Sequence, residues 1–384
     1  MTLTVAMYSH DSVGLGHTRR NRAIAYALAA ALPQPVQGIL IAGHRHATSF
    51  DLPPGWDWLV LPGFARTDEG YGARHLGMSP QDLADMRART ISATLEAMRP
   101  ELFIVDRHPF GVRGELLPAL DLLKDTPCRT VLGLREVLDN PDVVAREWEA
   151  IGGGRRIAEY YDTTWIYGDQ QVHDPIASGE VPAELAERAE FTGYLAPTQE
   201  QNPEHVPAAL PEKPCFLTTV GGGSDGGRLA LAAARAIVPP GHRHLIVAGP
   251  QMPEPDFEKL SVAAEEATTT VLRFLPGLTG LIGHTTGVIC MGGYNSITEV
   301  LATDTPALVV PRNSRRAEQK IRARAVENAG GIDTLEPATV TPAQLSAWMH
   351  EAVHRRVSRE HINLSGLTAV GELAGDLLGV AQHV

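Results

Sequence analysis

Four short stretches hold most of the residues that could do chemistry. In Ser12-Val13-Gly14-Leu15-Gly16-His17-Thr18-Arg19-Arg20 an imidazole closes a glycine-rich turn. Imidazoles ordinarily titrate at about 6.5, so a histidine here can take a proton at neutral pH. Val220-Gly221-Gly222-Gly223-Ser224-Asp225-Gly226-Gly227 offers backbone N–H groups and a hydroxyl to an anion, although such a turn also serves as a plain strand-to-helix connection. In Cys290-Met291-Gly292-Gly293-Tyr294-Asn295-Ser296-Ile297-Thr298-Glu299 an apolar strand breaks at two glycines. A helix begins there, with a carboxylate one turn inside. Then come Arg312, Arg315 and Arg316, a cationic loop, and Glu318-Gln319, which open another helix. Asp106 ends the apolar run LFIVD, where it could orient His17. His10, His108, Arg135 and Glu136 also stand at strand ends.

These residues need elements to position them, and the apolar pattern supplies them. Short apolar runs at 3–9, 36–42, 58–61, 102–105, 129–133 and 163–167 read as strands, and residues 18–32 carry helical spacing through Ile24, Ala27, Leu28 and Ala31. A second series follows, with strands near 215–220, 243–248, 270–273, 287–291 and 306–310. Helices are expected at about 226–238, 255–266, 294–303 and 315–328. Continuously apolar strands separated by helices predict parallel sheets covered on both faces. Residues 196–214, with five prolines, have linker composition. The expected organisation is therefore an N-terminal domain at 1–200, a C-terminal domain at 201–365, and a helix in 366–384 that can pack back on the N-terminal domain. Both domains are α/β and doubly wound, facing each other across a cleft.

Composition removes several classes. The 384 residues are 43% apolar and 20% charged, which is globular, and 33 basic against 45 acidic side chains give a net charge of −12. That sign excludes a general nucleic-acid binder. No run of about 18 apolar residues spans a membrane, and no basic-then-apolar leader is read at the N-terminus. Cys128, Cys215 and Cys290 lack CxxC spacing and read as reduced core residues of a cytoplasmic protein. The first glycine turn fails the dinucleotide fingerprint, since Arg19 holds the third glycine position and strand two ends in Gly43-His44 rather than an acid. A nicotinamide enzyme is thereby disfavoured. His44-Arg45-His46 has no matching third ligand, so no metal site is expected.

The order strand, Gly-Gly-x-Asn-x₃-Glu, strand, Pro-x₆-Glu-Gln resembles the GT-B-fold nucleotide-sugar glycosyltransferases. The nearest likeness is the branch containing the peptidoglycan N-acetylglucosaminyltransferase and its relatives. It extends to the loop ending in His17, to Gly222-Gly223-Ser224 and to Arg273-Phe274-Leu275-Pro276. The resemblance implies two Rossmann-like domains, with a nucleotide-sugar donor, UDP-linked by preference, on the C-terminal one. Gly222, Gly223 and Ser224 match the loop that holds the diphosphate. Gly293, Tyr294, Asn295 and Ser296 match the helix start that faces it. Glu299 matches the carboxylate for the ribose hydroxyls, and Arg273, Phe274 and Leu275 match the segment beside the base. Glu318 and Gln319 match the pair that binds donor-sugar hydroxyls. Glu stands here where many relatives have Asp, which leaves the sugar open. Arg312 is expected as a cation at the phosphates.

An acid at position 291 would complete the E-x₇-E spacing of many retaining relatives. Met291 is there instead, which favours inversion. No Asp-x-Asp occurs, so no metal cofactor is expected, and helix dipole, amides and cations are left to stabilise the leaving group. Related enzymes place their base at the His17 position and support it with an Asp such as Asp106. Acceptor contacts are expected from Gly16, His108, Arg135 and Glu136. The acceptor is a small molecule or a lipid-linked one. For the latter, Phe110, Val112, Leu116 and Leu117 with Arg107 and Arg113 would supply a peripheral membrane surface, against which Glu115 counts. Two other readings keep the fold. One is an NDP-sugar 2-epimerase or hydrolase using Asp106, Glu136 and His173, and the other is a non-catalytic nucleotide-sugar binder.

Overall fold

A computed structural model describes residues 2–10, 16–67, 70–196, 213–264, 268–312 and 316–380. Most of the expected linker and the turn at 12–15 lie outside them, as does Arg315. The chain divides into two compact units. One comprises Met1–Gln170, Asp174–Leu195 and Ser365–Val384, and the other Gln171–His173 and Ala196–Leu364.

The first unit runs β1 (Leu3–Ser9), α1 (Gly16–Ala31), β2 (Val36–Ala42), β3 (Trp56–Val60), β4 (Phe64–Thr67), β5 (Gly70–Ala73), α2 (Pro80–Met98) and β6 (Leu102–Asp106). It continues with α3 (Leu117–Lys124), β7 (Arg129–Arg135), α4 (Pro141–Ala150), α5 (Gly153–Ala158), β8 (Thr163–Tyr167), α6 (Ala183–Ala186) and β9 (Ala189–Phe191). Seven strands form one parallel sheet in the order β3-β2-β1-β6-β7-β8-β9. Every residue of β1 and β6 is buried, as a strand covered on both faces must be. Strands β4 and β5 form a separate antiparallel pair. Helix α2 starts on an Ser79 cap with Pro80 in its first turn, and buries Leu83, Arg87, Ile91 and Leu95 at helical spacing.

The surface expected for a lipid acceptor is corrected here. Phe110, Val112 and Leu116 are buried in the core, and Arg107 is buried as well. Phe110 and Leu116 pack in the core with Ile91, Leu95 and Phe103, and Val112 packs with Leu83, while Leu117 is half-buried and Arg113 exposed. Glu115 is buried too, paired with Arg87 and accepting from the Tyr8 hydroxyl.

The second unit runs β10 (Cys215–Thr219), α7 (Gly227–Ala234), β11 (Arg243–Val247), α8 (Glu254–Ala263), β12 (Thr269–Leu272), α9 (Leu278–Leu281), β13 (Gly287–Cys290) and α10 (Tyr294–Leu301). After these come β14 (Ala307–Val309), α11 (Glu318–Asn328), β15 (Asp333–Thr334) and α12 (Pro342–Ala352). Its parallel sheet has the order β12-β11-β10-β13-β14-β15. The last helix, α13 (Gly366–Leu378), belongs to the first unit and packs on α1. A Cβ on Gly371 would stand 2.3 Å from the Ala31 Cβ, so glycine is what allows these two helices to approach so closely.

Both sheets reverse their winding beside their first strand, between β1 and β6 and between β10 and β13. In open α/β sheets the crevice at the carboxyl ends of such a pair is where ligands bind. The loops after those four strands are therefore the places to look.

Candidate active site

In the first unit, β6 delivers Asp106 and α1 delivers His17 and Arg20 to the same switch point. Residues three apart on a helix share a face, so His17 and Arg20 both reach the strand end. His17 Nδ1 lies 3.1 Å from Asp106 Oδ2. Arg20 Nη2 donates to both carboxylate oxygens, at 2.7 and 2.6 Å, and lies 2.9 Å from His17 Nδ1. Nδ1 thus faces an acceptor in Asp106 and a donor in Arg20; in the tautomer with the proton on Nδ1 it donates to the carboxylate and Nε2 keeps its lone pair. The His17 side chain is 22% exposed while Asp106 is fully buried, so the imidazole is the member of the pair open to a substrate. Burial alone would lift the Asp106 pKa. The Arg20 guanidinium and His17 outweigh it and hold the carboxyl well below its usual range.

Around this pair stand two more imidazoles. The His10 ring lies 4.1 Å from the His108 ring and 5.4 Å from that of His17, edge to face in both cases. Burial, and then the neighbouring His17, keep His10 neutral by holding its pKa well below 6.5. Arg107 between Asp106 and His108 has φ of 68°, a conformation uncommon for a side-chain-bearing residue. Its N–H donates to Gly133 O, and its guanidinium pairs with Glu147 at 2.7 Å over the Trp148 ring. That anchoring holds the strained turn on which Asp106 and His108 sit.

In the second unit, the turn after β10 interlocks with the turn after β11. Gln251 N donates to Gly222 O, and a Cβ on Gly223 (φ 93°) would lie 2.2 Å from Ala248 O. Only glycine fits there, which fixes the loop carrying Gly222 and Ser224, both exposed. Across the switch point, Gly293 caps α10 with no side-chain bond to its first amides. Asn295 and Ser296 are half-buried in that first turn, and Glu299 is buried one turn on. Tyr294 is buried, its ring 5.7 Å from the buried Arg322 guanidinium, which donates to Gly292 O at 3.4 Å. The α11 start supplies Glu318 and Gln319. Arg312 Nη2 donates to Glu318 Oε1 at 2.7 Å, and the Arg312 backbone N–H donates to Gln319 Oε1 at 3.0 Å. After β12, Arg273 pairs with Glu254 and stacks 4.0 Å from the Phe257 ring, Phe274 is 66% exposed and Leu275 is half-buried.

The structure thus gathers His17, Asp106 and His108 at one switch point, with Gly16 exposed at the start of α1. It gathers 222–224, 293–299 and 318–319 around the other. Glu136 is fully buried, accepts from Val137 N–H and packs against Gly168, while Arg135 is half-buried at the end of β7. Sequence reasoning passed over Arg20 and Arg322 as partners. The i, i+3 spacings His17/Arg20 and Gln319/Arg322 carry the signal that would have found them. Among the described residues, no three His, Cys, Asp or Glu side chains cluster as metal ligands. No described helix is long and apolar enough to cross a membrane.

Residues 220–362 match the glycosyltransferase family 28 C-terminal domain, a stretch holding residues 222–224 and 293–299, Arg312, Glu318 and Gln319. A curated relative from Brucella abortus (strain S19), a UDP-N-acetylglucosamine--N-acetylmuramyl-(pentapeptide) pyrophosphoryl-undecaprenol N-acetylglucosamine transferase, is 26% identical over 195 residues, 47% of this chain and 50% of its own. The chain spans no more than half the length of such relatives. Among solved structures, the calicheamicin glycosyltransferase CalG4 superposes with a TM-score of 0.61 at 14% identity, covering 98% of both chains. The fold is GT-B. GT-B architecture accounts for the two parallel sheets wound in one order. It also serves a second reaction type: the UDP-GlcNAc 2-epimerase from Neisseria meningitidis, bound to UDP-GlcNAc, matches at TM-score 0.56 and 13% identity, over 98% of this chain and 99% of its own.

Proposed function

We propose that this chain is a glycosyltransferase that moves a sugar from an NDP-sugar, UDP-linked, to a hydroxyl of a small-molecule or lipid-linked acceptor. The transfer inverts the anomeric carbon and needs no metal. One observation carries the reading: within the family 28 match, the fixed glycine turn and the start of α10 follow the two neighbouring strands β10 and β13 at the switch point, with Glu299 inside the helix. Backbone amides at a helix start bind a diphosphate and stabilise the charge it gains on leaving. Glu299 accepts from the ribose hydroxyls, and the exposed Phe274 lies beside the base. His17 Nε2 takes the acceptor proton as the acceptor oxygen bonds to the anomeric carbon and the bond to the diphosphate breaks. Asp106 holds the ring and stabilises the imidazolium that forms.

The test is binding and turnover together. Glu299→Ala should weaken UDP binding by ~1–3 kcal/mol through loss of a charge-assisted hydrogen bond. Unchanged affinity in calorimetry, with the fold intact, would count against the donor assignment. The shared fold keeps a second reading open, an NDP-sugar 2-epimerase or hydrolase. Incubation with UDP-N-acetylglucosamine and no acceptor separates the two. Rapid epimerisation or release of free sugar selects the second.

A further inference from the structure

The loop between β14 and α11 carries a guanidinium that faces two carboxylates. Arg312 Nη2 is 2.7 Å from Glu318 Oε1, and Nη1 is 3.6 Å from Asp225 Oδ2, on the turn after β10. Its Nε is buried without a hydrogen-bond partner among the described residues. Glu318 is nearly buried while Arg312 is 28% exposed, so the arginine lies over the acid rather than reaching past it. The Arg312 main chain acts on the next residue. A backbone N–H can only donate, so its 3.0 Å contact fixes Gln319 with Oε1 inward. The amide nitrogen is thereby turned outward, 4.0 Å from the point where a Cβ on Gly293 would stand, at the start of α10.

We propose that Arg312 is a positioning residue for recognition of the donor sugar and does not bind the diphosphate. Through its side chain it sets the Glu318 carboxylate, and through its backbone it sets the Gln319 amide. Together these present an acceptor and a donor to neighbouring hydroxyls of a hexose. This role rests on the glycosyl-transfer reading. A guanidinium engaged with both Glu318 and Asp225 has its charge already answered, so a phosphate would have to compete with two carboxylates for it.

Calorimetry with UDP and with UDP-N-acetylglucosamine tests it. Removal of the side chain in Arg312→Ala should weaken the nucleotide sugar about tenfold or more, by loss of one charge-assisted arrangement. UDP itself should stay within about twofold. Arg312→Lys, whose ammonium can still pair with a carboxylate, should recover part of the loss and guards against a folding defect in the alanine variant. An equal loss for UDP and UDP-sugar in Arg312→Ala, or no loss in either, overturns the positioning role alone. A wild-type protein that binds neither probe overturns the glycosyl-transfer reading, and this role with it.

Discussion

Arg20 Nη2 bonds both carboxylate oxygens of Asp106 and stands within 2.9 Å of His17 Nδ1. The carboxylate beneath the imidazole is therefore one half of a buried ion pair rather than a lone acid. Two positively polarised groups converge on one buried charge, and each holds the other in place.

Breaking that pair from one side should be costly. Arg20→Met leaves the buried Asp106 carboxylate without its cation, which costs about 3–5 kcal/mol in comparable pairs. Arg20→Met with Asp106→Asn removes the stranded charge and should recover most of the loss. Urea titrations of the two singles and the double close the cycle. A single variant losing less than about 1 kcal/mol would show that the pair is not what secures this strand end.

His17→Ala should lower kcat about 10²–10⁴-fold while UDP affinity changes little, because the nucleotide is assigned to the other unit. Asp106→Asn should cost less, since the ring stays in place and only its partner weakens. Steady-state kinetics on the true acceptor, paired with calorimetry on UDP, decides this. An alanine variant that keeps most of its kcat moves the base elsewhere.

Acid sensitivity of the second unit should trace to His244. Its Nε2 is 2.8 Å from the Thr218 hydroxyl across β10 and β11, and burial pulls its pKa from 6.5 down to about 4. Between those values the unfolded chain binds a proton that the folded one refuses, so stability rises with pH through this window. It is complete above about 6.5 and falls by up to roughly 3 kcal/mol as pH drops to about 4. Replacing the imidazole, as in His244→Gln, should flatten the acid side of a stability–pH profile measured by chemical denaturation. The same slope in the variant would assign the titration to another group.

Turnover should survive excess EDTA, because backbone amides and the α10 N-terminus are proposed to meet the leaving diphosphate. If chelation abolishes product formation and magnesium or manganese restores it, the leaving-group assignment is wrong.

How much was legible in the sequence depended on the kind of signal. The runs LTVAMYS and LFIVD are apolar throughout because parallel strands are covered on both faces, so β1 and β6 were readable directly. The glycine turn after β10 and the break at Gly292 were readable because backbone geometry restricts the residue type. The antiparallel pair β4 and β5 was not: FART and GYGA carry no apolar alternation to mark a strand. Phe110 and Leu116 were apolar in either setting, and only the tertiary packing showed them to be core. Arg20 and Arg312 were visible as charges but not as partners. Which carboxylate answers a cation is decided by contacts between distant segments, 86 residues apart for Arg20 and Asp106.

The place of α13 affects how the protein is made. The path leaves the first unit at Leu195 and returns at Ser365, where the two residues bridge and Gly366 N–H donates to Tyr194 O. Nearly all of the second unit is thus translated between two pieces of the first. At about 5–20 residues per second, the ribosome takes about 10–30 s to pass from Leu195 to the start of α13. Throughout that interval the seam of α1 around Ala27 and Ala31, which Gly371 later covers, stands open while the second unit can already close on itself. Folding is therefore out of order with respect to the chain: the unit begun second can finish first. A nascent chain stalled before Gly366 presents an unsealed helix to chaperones or to its neighbours.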